Sequence, residues 1–127
     1  MEVSVYAFEV TVVGEPEWGR TINAARVGQA KSEYHRLLLD CFPEVPFTAL
    51  RCRKVGAAKS SREFVRCAAY RGLPAVRCGQ KVKVGAATGV IVGHNSSANF
   101  DVLFDEHSPK YAGLRLNVHP ASLEVIT

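Results

Sequence analysis

The apolar residues of the first third of the chain change from a spacing of two to a spacing of three and four. Over residues 3–13 they fall mostly at alternate positions, with Tyr6, Phe8, Val10 and Val12 on one side. Alternation of this kind predicts a β-strand that buries one face.

A turn, a short strand and a helix follow. Residues 14–19 combine glycine and proline and predict a turn, after which residues 20–24 predict a returning strand. Residues 28–41 carry apolar side chains at intervals of three and four, which predicts a helix that ends before Pro43 and Pro46. Its predicted apolar stripe consists of Ala30, Tyr34, Leu37, Leu38 and Cys41.

The clearest helix signals lie between residues 60 and 72. Ser60 stands three residues before Glu63, the spacing of a capping box in which each side chain satisfies a backbone donor of the first turn. Gly72, with Pro74 just beyond it, indicates where this helix ends. The predicted buried face consists of Phe64, Val65, Ala68 and Ala69.

Short β-rich segments separated by Gly, Asn, Ser and Pro make up the rest of the chain. Several short strands with regularly spaced turns favour a small barrel, because closure removes the exposed edges of a sheet. The predicted strands are residues 81–84, 88–93, 99–105 and 122–126.

These elements predict an α+β protein. Residues 47–53 alternate again and predict the third strand of a β-β-α-β unit that occupies residues 1–57. Residues 58–78 form a basic connecting helix and linker, and residues 79–127 form a five-stranded SH3-like barrel.

Three segments of the C-terminal part carry a resemblance to known proteins. The pattern G-x-x-V-x-V over residues 79–84, the glycine-valine strand at 88–93 and the V-x-F strand at 100–105 resemble KOW-like and other SH3-like barrels. The KOW motif's own Lys-Gly core is replaced by residues 84–87. The stretch over about residues 60–127 is similar to small uncharacterised proteins of phages and mobile elements. The resemblance implies a barrel fold and a phage or mobile-element origin, and it carries no catalytic residue.

Positive charge is concentrated in the middle of the chain. The formal net charge is +4, yet the segment from Arg51 to Lys83 holds ten basic residues and one acidic residue. On the second helix Arg62, Arg66 and Tyr70 follow at intervals of four, opposite the apolar face. Such a stripe could hold phosphates, and its tyrosine could stack on a base. The alternative is a solvated face beside acids of the N-terminal half or of an oligomer partner.

The most polar connection of the predicted barrel is residues 94–99. Loops of this kind often make contacts, while Asn95 and Asn99 equally suit the left-handed conformations that tight turns require. The candidate residues for binding nucleic acid or another partner are Lys59, Arg62, Arg66, Tyr70, Arg71, His94, Asn95 and Asn99.

Catalytic and metal-binding patterns are missing from the sequence. It contains no nucleophile elbow, glycine-rich phosphate loop or HExxH motif, so we predict no enzymatic activity and no cofactor. The cysteines form no CxxC pair and the histidines no HxH or HxxxH pattern, so we predict no metal site and four free thiols that act as small buried apolar residues. The cysteines are Cys41, Cys52, Cys67 and Cys78.

The sequence predicts a soluble cytoplasmic protein. No apolar run approaches the roughly 18 residues of a membrane span, and the first residues have no signal-peptide pattern, so we expect no membrane partner. We predict a binding protein that acts in the host cytoplasm and holds nucleic acid through the basic helix and the barrel loop. A protein-binding modulator of a host defence or regulatory complex, using an acidic host surface, is the first alternative. A virion accessory protein is the second. The sequence indicates no oligomeric state.

Overall fold

A three-stranded antiparallel sheet with a helix on one face forms the N-terminal unit. The computed structural model of the chain describes residues 4–108 and 110–126. The strand order of the first sheet is β2-β1-β3. The predicted β-β-α-β order is confirmed, although Val3 of the predicted first strand lies outside the described residues. The elements of this unit are β1 (Tyr6–Val12), β2 (Glu15–Ala24), α1 (Val27–Leu39) and β3 (Leu50–Ala57).

The first hairpin turns earlier than the sequence pattern predicts. Because β2 begins at Glu15, only Val13–Gly14 connects it to β1. Gly14 has a φ of +84°, a left-handed conformation that glycine adopts without a side-chain clash. The predicted turn over residues 14–19 is wrong because Pro16 lies in an edge strand, which pairs on one side only and tolerates a residue without an N–H.

The third strand lies nearer the C-terminus than predicted. It was expected over residues 47–53 and spans Leu50–Ala57, while Phe47–Ala49 forms a 3₁₀ turn. The reason is its pairing, since β3 lies antiparallel to β1 along the whole of that strand. The partner strand, rather than the alternation of its own residues, sets where β3 begins and ends.

Helix α1 buries a narrower stripe than predicted. Ala30, Tyr34 and Leu38 are buried against the sheet, whereas Leu37 is 42% exposed. Cys41 follows the end of the helix and is exposed. The buried residues are each four positions apart and so share one face, while Leu37 is turned about 100° away from Leu38. The predictions that Leu37 belongs to the buried stripe and that Cys41 is buried are therefore wrong.

Helix α2 (Arg62–Tyr70) is capped by a different serine from the one predicted. Ser61 is the N-cap, and its Oγ accepts a hydrogen bond from the N–H of Phe64 at 3.0 Å. Ser60 instead accepts a hydrogen bond from the N–H of Cys78 at 2.9 Å. The predicted capping box is wrong because the Ser60 side chain bonds to the backbone of Cys78, which precedes the second sheet, and not to its own helix.

The C-terminal end of α2 lies where the sequence predicts it. Gly72 has a φ of +75°. Its N–H donates to the carbonyl of Ala69 at 3.0 Å, and the N–H of Leu73 donates to the carbonyl of Ala68 at 2.8 Å. These are the two bonds of a Schellman motif, in which glycine permits the left-handed residue that ends the helix.

The buried face of α2 differs from the predicted face. Phe64 and Ala68 are buried as predicted, but Ala69 is exposed and Val65 only half-buried, and Cys67 is buried with the first two. Positions separated by three and four residues lie on the same side of a helix, which places Cys67 beside Phe64 and Ala68. The predictions for Ala69 and Val65 are wrong because both lie beside that face.

The second sheet contains five antiparallel strands in the order β7-β6-β5-β4-β8. A 3₁₀ turn at Pro120–Ser122 leads into β8, which pairs with β4, the first strand of this sheet. The predicted strands omit β7, and β8 has two residues where five were predicted. Within the described ranges no strand pairing joins β7 to β8, and closure into an SH3-like barrel stays a prediction. The strands are β4 (Lys81–Val84), β5 (Ala87–His94), β6 (Phe100–Phe104), β7 (Arg115–Val118) and β8 (Glu124–Val125).

Each sheet has its own hydrophobic core. The first core lies between α1 and its sheet and includes Phe8, Val10 and Leu50. The second core contains the buried face of α2 together with Ile91 and Phe100 of the second sheet. The α+β class is thus confirmed, whereas the predicted boundaries at residues 57 and 78 stay predictions.

A buried asparagine joins the two cores. Asn23, near the end of β2, is only 8% exposed. Its Nδ2 donates to the carbonyl of Lys59 at 2.7 Å and to that of Val92 at 3.0 Å, and its Oδ1 accepts from the N–H of Lys59 at 2.9 Å. One side chain therefore holds the N-terminal unit, the segment before α2 and strand β5 together.

Arg115 of β7 forms a second link across the same junction. Its Nη1 donates to the carbonyl of Asn23 at 2.9 Å. The guanidinium also lies 3.6 Å from the carboxylate of Glu33 on α1 and 3.9 Å from that of Asp101 on β6. Glu33 belongs to the N-terminal unit and Asp101 to the second sheet, so the ion pairs of Arg115 connect α1 to the second sheet.

We expect the substitution Asn23→Ala to destabilise the whole molecule. It leaves the buried carbonyl of Val92 and the part-buried carbonyl and N–H of Lys59 without their partner. An unsatisfied buried group costs about 1–3 kcal/mol, and a part-buried group costs less because water can reach it. The expected decrease in the free energy of unfolding is about 2–4 kcal/mol, measured by urea denaturation. Asn117→Ala, at an exposed asparagine of β7, is the control and should cost less than about 1 kcal/mol. Equal small losses for both variants would contradict the role of Asn23.

Candidate functional site

Helix α2 lies directly beside the polar loop, defined as residues 94–99. The edge of the Phe64 ring meets the ring of His94, with centroids 5.9 Å apart. The guanidinium of Arg71 donates to the carbonyls of Ser97 and Ala98, both at 3.0 Å, and to Oδ1 of Asn99 at 3.1 Å. The structure therefore brings together the two segments that the sequence analysis selected separately.

Asn95 holds the polar loop in its turn. Its Oδ1 accepts hydrogen bonds from the N–H groups of Ser97 and Asn99 at 3.0 and 3.1 Å, and its Nδ2 donates to Oδ1 of Asn117 at 3.0 Å. The residue with a left-handed backbone is Ala98, with a φ of 60°, so the expectation that Asn95 and Asn99 take this conformation is wrong. The two asparagines stabilise the turn through their side chains instead.

A shallow depression lies between α2 and the polar loop. Its volume is about 320 Å³, and its lining includes Arg66, Tyr70, His94 and Asn95. Tyr70 is 79% exposed. The guanidinium carbon of Arg71 lies 5.7 Å from the centre of the Tyr70 ring. Four of the predicted binding residues thus surround one concave surface with an exposed aromatic ring at its side.

A larger groove follows the junction between the two halves of the molecule. Its volume is about 540 Å³, and Lys59, His94 and Asn95 of the predicted set line it. The N-terminal unit contributes Arg20 and Arg36, which the sequence analysis did not select. No local pattern could have identified them, because they reach this groove only through the packing of the first unit against the second sheet.

Two of the three acidic residues that line this groove, Glu33 and Asp101, lie beside arginines. Glu33 accepts two hydrogen bonds from Arg36, at 3.0 and 2.9 Å, and lies near Arg115. Burial acts to raise the pKa of Glu33, but the hydrogen bond from Arg36 and the charges of Arg115 and Arg36 outweigh it and lower the pKa below its ordinary value. Glu33 is therefore an anion at neutral pH, and its charge is compensated within the groove.

The structure separates the basic residues between Arg51 and Lys83 into two groups. One group is used by the fold: Arg53 pairs with Glu9 at 3.3 Å, and the ammonium of Lys54 lies 3.5 Å from the centre of the Tyr6 ring. Arg51 and Arg77 likewise donate to backbone carbonyls.

The other group forms no ion pair. Within residues 4–108 and 110–126, no carboxylate lies within 4.0 Å of the side-chain nitrogens of this group. The expected neutralisation by N-terminal acids thus applies to Arg53, while the acid closest in sequence to the second group is Glu63, which lines the shallow depression with Arg66 and the groove with Lys59. The members of the second group are Lys59, Arg62, Arg66 and Lys83, and all four are exposed.

The four cysteines are free thiols, of which Cys67 and Cys78 are buried as predicted, whereas Cys52 is only half-buried. Cys78 lines the groove, and burial raises its pKa to about 11 despite the hydrogen bonds of Ser60 and Asn23. A thiol with such a pKa stays protonated at neutral pH and is a poor nucleophile. In the described part of the chain, no group of three or more His, Cys, Asp or Glu side chains is arranged to hold a metal ion.

Comparison with protein-family models, curated proteins and solved structures finds no match for this chain. None of the helices within the described ranges has the length and apolar character that a bilayer span requires. The geometry of the site is therefore the basis of the functional argument.

We expect Arg71→Gln to release the polar loop without unfolding the protein. Glutamine cannot reproduce three hydrogen bonds to Ser97, Ala98 and Asn99, whereas the Asn95 turn and the second core remain. Amide hydrogen exchange in residues 95–99 should become at least several-fold faster, while exchange in β5 stays unchanged. Arg77→Gln, which removes an arginine that bonds only to nearby carbonyls, should leave the loop as it is. Unchanged loop exchange in Arg71→Gln would refute the anchoring role.

We expect Glu33 to make the molecule sensitive to acid. Because its pKa is lower in the folded state than in the unfolded chain, its contribution is complete above its ordinary pKa and is lost as the pH falls through its lowered folded pKa. Glu33→Gln should therefore lose less stability than the natural protein when urea denaturation is compared at about pH 6 and about pH 3. Glu44→Gln, at an exposed residue, is the control. An acid sensitivity that Glu33→Gln leaves unchanged would exclude this contribution.

Proposed function

We propose that this protein is a non-enzymatic binding protein that holds nucleic acid against α2 and the polar loop. The observation that carries the proposal is the group of exposed cations that form no ion pair, Lys59, Arg62 and Arg66, on and before the helix that carries the exposed ring of Tyr70.

Electrostatics favours an anionic polymer at this surface. Cations that are not neutralised by the fold gain the most when they neutralise phosphates and release condensed counterions. Arg66 and Tyr70 lie along the same depression, so a phosphate and a base of one strand could be held together. This combination of cation and aromatic ring is typical of surfaces that bind nucleic acids with little sequence preference.

Three further expectations from the sequence are compatible with this proposal. They concern the barrel fold, the origin and the cellular location of the protein. The order of the five strands and the pairing of β8 with β4 support the SH3-like barrel that the resemblance implies. The phage or mobile-element origin stays a prediction, as does a cytoplasmic location.

A protein partner is the second candidate, and one observation favours it. Apolar side chains are exposed at the end of α1 and in the segment that follows, where Leu39, Phe42 and Phe47 are each 37–43% exposed. Exposed apolar groups in proximity can mark a surface that another protein covers. Under this alternative, the predicted modulator of a host complex would show no affinity of its own for oligonucleotides. The virion accessory role stays a prediction.

We expect labelled oligonucleotides to bind with an affinity that falls steeply with salt concentration. In fluorescence-anisotropy titrations, the double substitution Arg62→Gln with Arg66→Gln should weaken binding by about tenfold or more and make the salt dependence shallower. Each lost phosphate contact should reduce the slope of log affinity against log salt by about 0.7–0.9.

Lys83→Gln is the control for each single charge removed, since Lys83 is an exposed cation of β4 that forms no ion pair and lines neither depression, whereas Arg62 and Arg66 belong to α2. It should leave both affinity and slope nearly unchanged. The absence of binding at low salt would overturn the proposed function. An equal effect of Lys83→Gln would show that net charge, rather than this site, governs binding.

A further inference from the structure

We propose that the nucleic acid is a single strand that continues from α2 into the junction groove, where Arg20 and Arg36 of the N-terminal unit contact it. This inference rests on the proposed function and names the form of nucleic acid and a part of the site that the sequence did not indicate. Its basis is the continuity of two depressions, the distribution of cations along them and the exposure of one aromatic ring.

The shallow depression and the junction groove form one continuous path. Four residues line both of them, and they form the wall where the two meet: Glu63 on α2 and His94, Asn95 and Ser96 at the start of the polar loop. A flexible chain lying on α2 is therefore directly beside the groove. The polar loop, fixed by Arg71 and Asn95, forms the side of this path.

Cations lie toward both ends of the path. Arg66 lines the shallow depression, and Lys59 and Arg20 line the groove. Across the described ranges, no carboxylate lies within 4.0 Å of the Arg20 guanidinium. Arg36 is bonded to Glu33, but its side chain remains 66% exposed and can offer further N–H donors to a phosphate. Phosphates spaced along one strand would thus meet positive charge on both halves of the molecule.

The exposed ring of Tyr70 favours a single strand over a duplex. Bases of a duplex are stacked and paired, whereas an unpaired base can turn outward and stack on an aromatic side chain. A duplex is also stiff over about 150 base pairs and cannot follow a concave path between two packed units. A single strand can bend into the groove while one of its bases covers Tyr70.

The acidic residue Glu63 lies on the path and provides a way to test it. It is exposed and has no ion pair among the described residues, and it lies in the shared wall. An anionic strand that passes this wall is repelled by its carboxylate. Neutralising Glu63 should therefore strengthen binding more than Glu44→Gln does, which raises the net charge equally at an exposed residue that lines neither depression.

The experiment compares a single strand of about 12 nucleotides, as DNA and as RNA, with a duplex of the same length at fixed salt. We expect the protein to bind at least one single strand ten or more times more tightly than the duplex. The DNA and RNA arms then identify the preferred sugar. Tyr70→Ala should weaken single-strand binding between about fivefold and about 150-fold, whereas Tyr70→Phe keeps the stacking ring and should bind nearly as the natural protein does.

Two further variants test the groove. Arg20→Gln should weaken single-strand binding several-fold and reduce its salt slope by about 0.7, Arg20→Lys should retain most of the affinity, and Glu63→Gln should tighten binding. Lys83→Gln again serves as the control. These side chains are exposed, so unchanged thermal unfolding will confirm that each variant is folded.

The outcomes separate this inference from the proposed function. Two results would overturn the single-strand path and leave nucleic-acid binding at α2 standing. The first is equal or tighter binding of the duplex. The second is an affinity that Arg62→Gln with Arg66→Gln lowers but that Arg20→Gln and Glu63→Gln leave unchanged. Failure of every oligonucleotide to bind at low salt would overturn both.

Discussion

The buried amide of Asn23 is the contact on which the arrangement of the two halves depends. It bonds to both backbone groups of Lys59 and to the carbonyl of Val92, so the first sheet, the segment before α2 and the second sheet meet at one side chain. Arg115 adds a charged link from β7 to Glu33 on α1. Each half has its own core, and these polar contacts, together with the exposed ion pair between Arg26 and Glu106, connect the two. The groove exists because this junction brings two convex units together along polar side chains rather than along a continuous apolar surface.

The distribution of charge follows from the same junction. Of the carboxylates that line the groove, Glu33 and Asp101 are paired with Arg36 and Arg115, so they form no ion pair with Lys59 or Arg20, while Glu63 forms none among the described residues. Five of the ten basic residues of the central segment support the fold through carbonyls, a ring or an acid, and four of the others are exposed without an ion pair. A basic composition alone could not distinguish these two groups. Some basic residues have partners in the fold, and those without an ion pair account for the localised positive charge of a chain whose net charge is modest.

The sequence predicted local structure well where a feature depends on neighbouring residues. The end of α2 at Gly72 and strand β4 are examples, since a left-handed cap and a short alternating strand are set by nearby residues. Features that depend on distant partners were missed: β3 takes its length from β1, and Ser60 bonds to the chain at Cys78 rather than capping its own helix.

The candidate site shows the same division. Arg62, Arg66 and Tyr70 could be selected by helical spacing, and the polar loop by its composition. Their proximity depends on Arg71, whose bonds span 26–28 residues of sequence. The contribution of the N-terminal unit to the groove required the packing of two sheets. No pattern within the first 57 residues indicates that Arg20 lies near a loop about 75 residues later.

The most direct test of this account is an NMR titration of the ¹⁵N-labelled protein with a single-stranded oligonucleotide of about 12 nucleotides, with amide shifts as the readout. The account predicts that the largest shifts fall in residues 20–23, 59–71 and 93–99, on one continuous surface that includes both halves of the molecule. Shifts confined to the separate crevice lined by Tyr6, Arg26 and His107, or no shifts at saturating oligonucleotide, would contradict it.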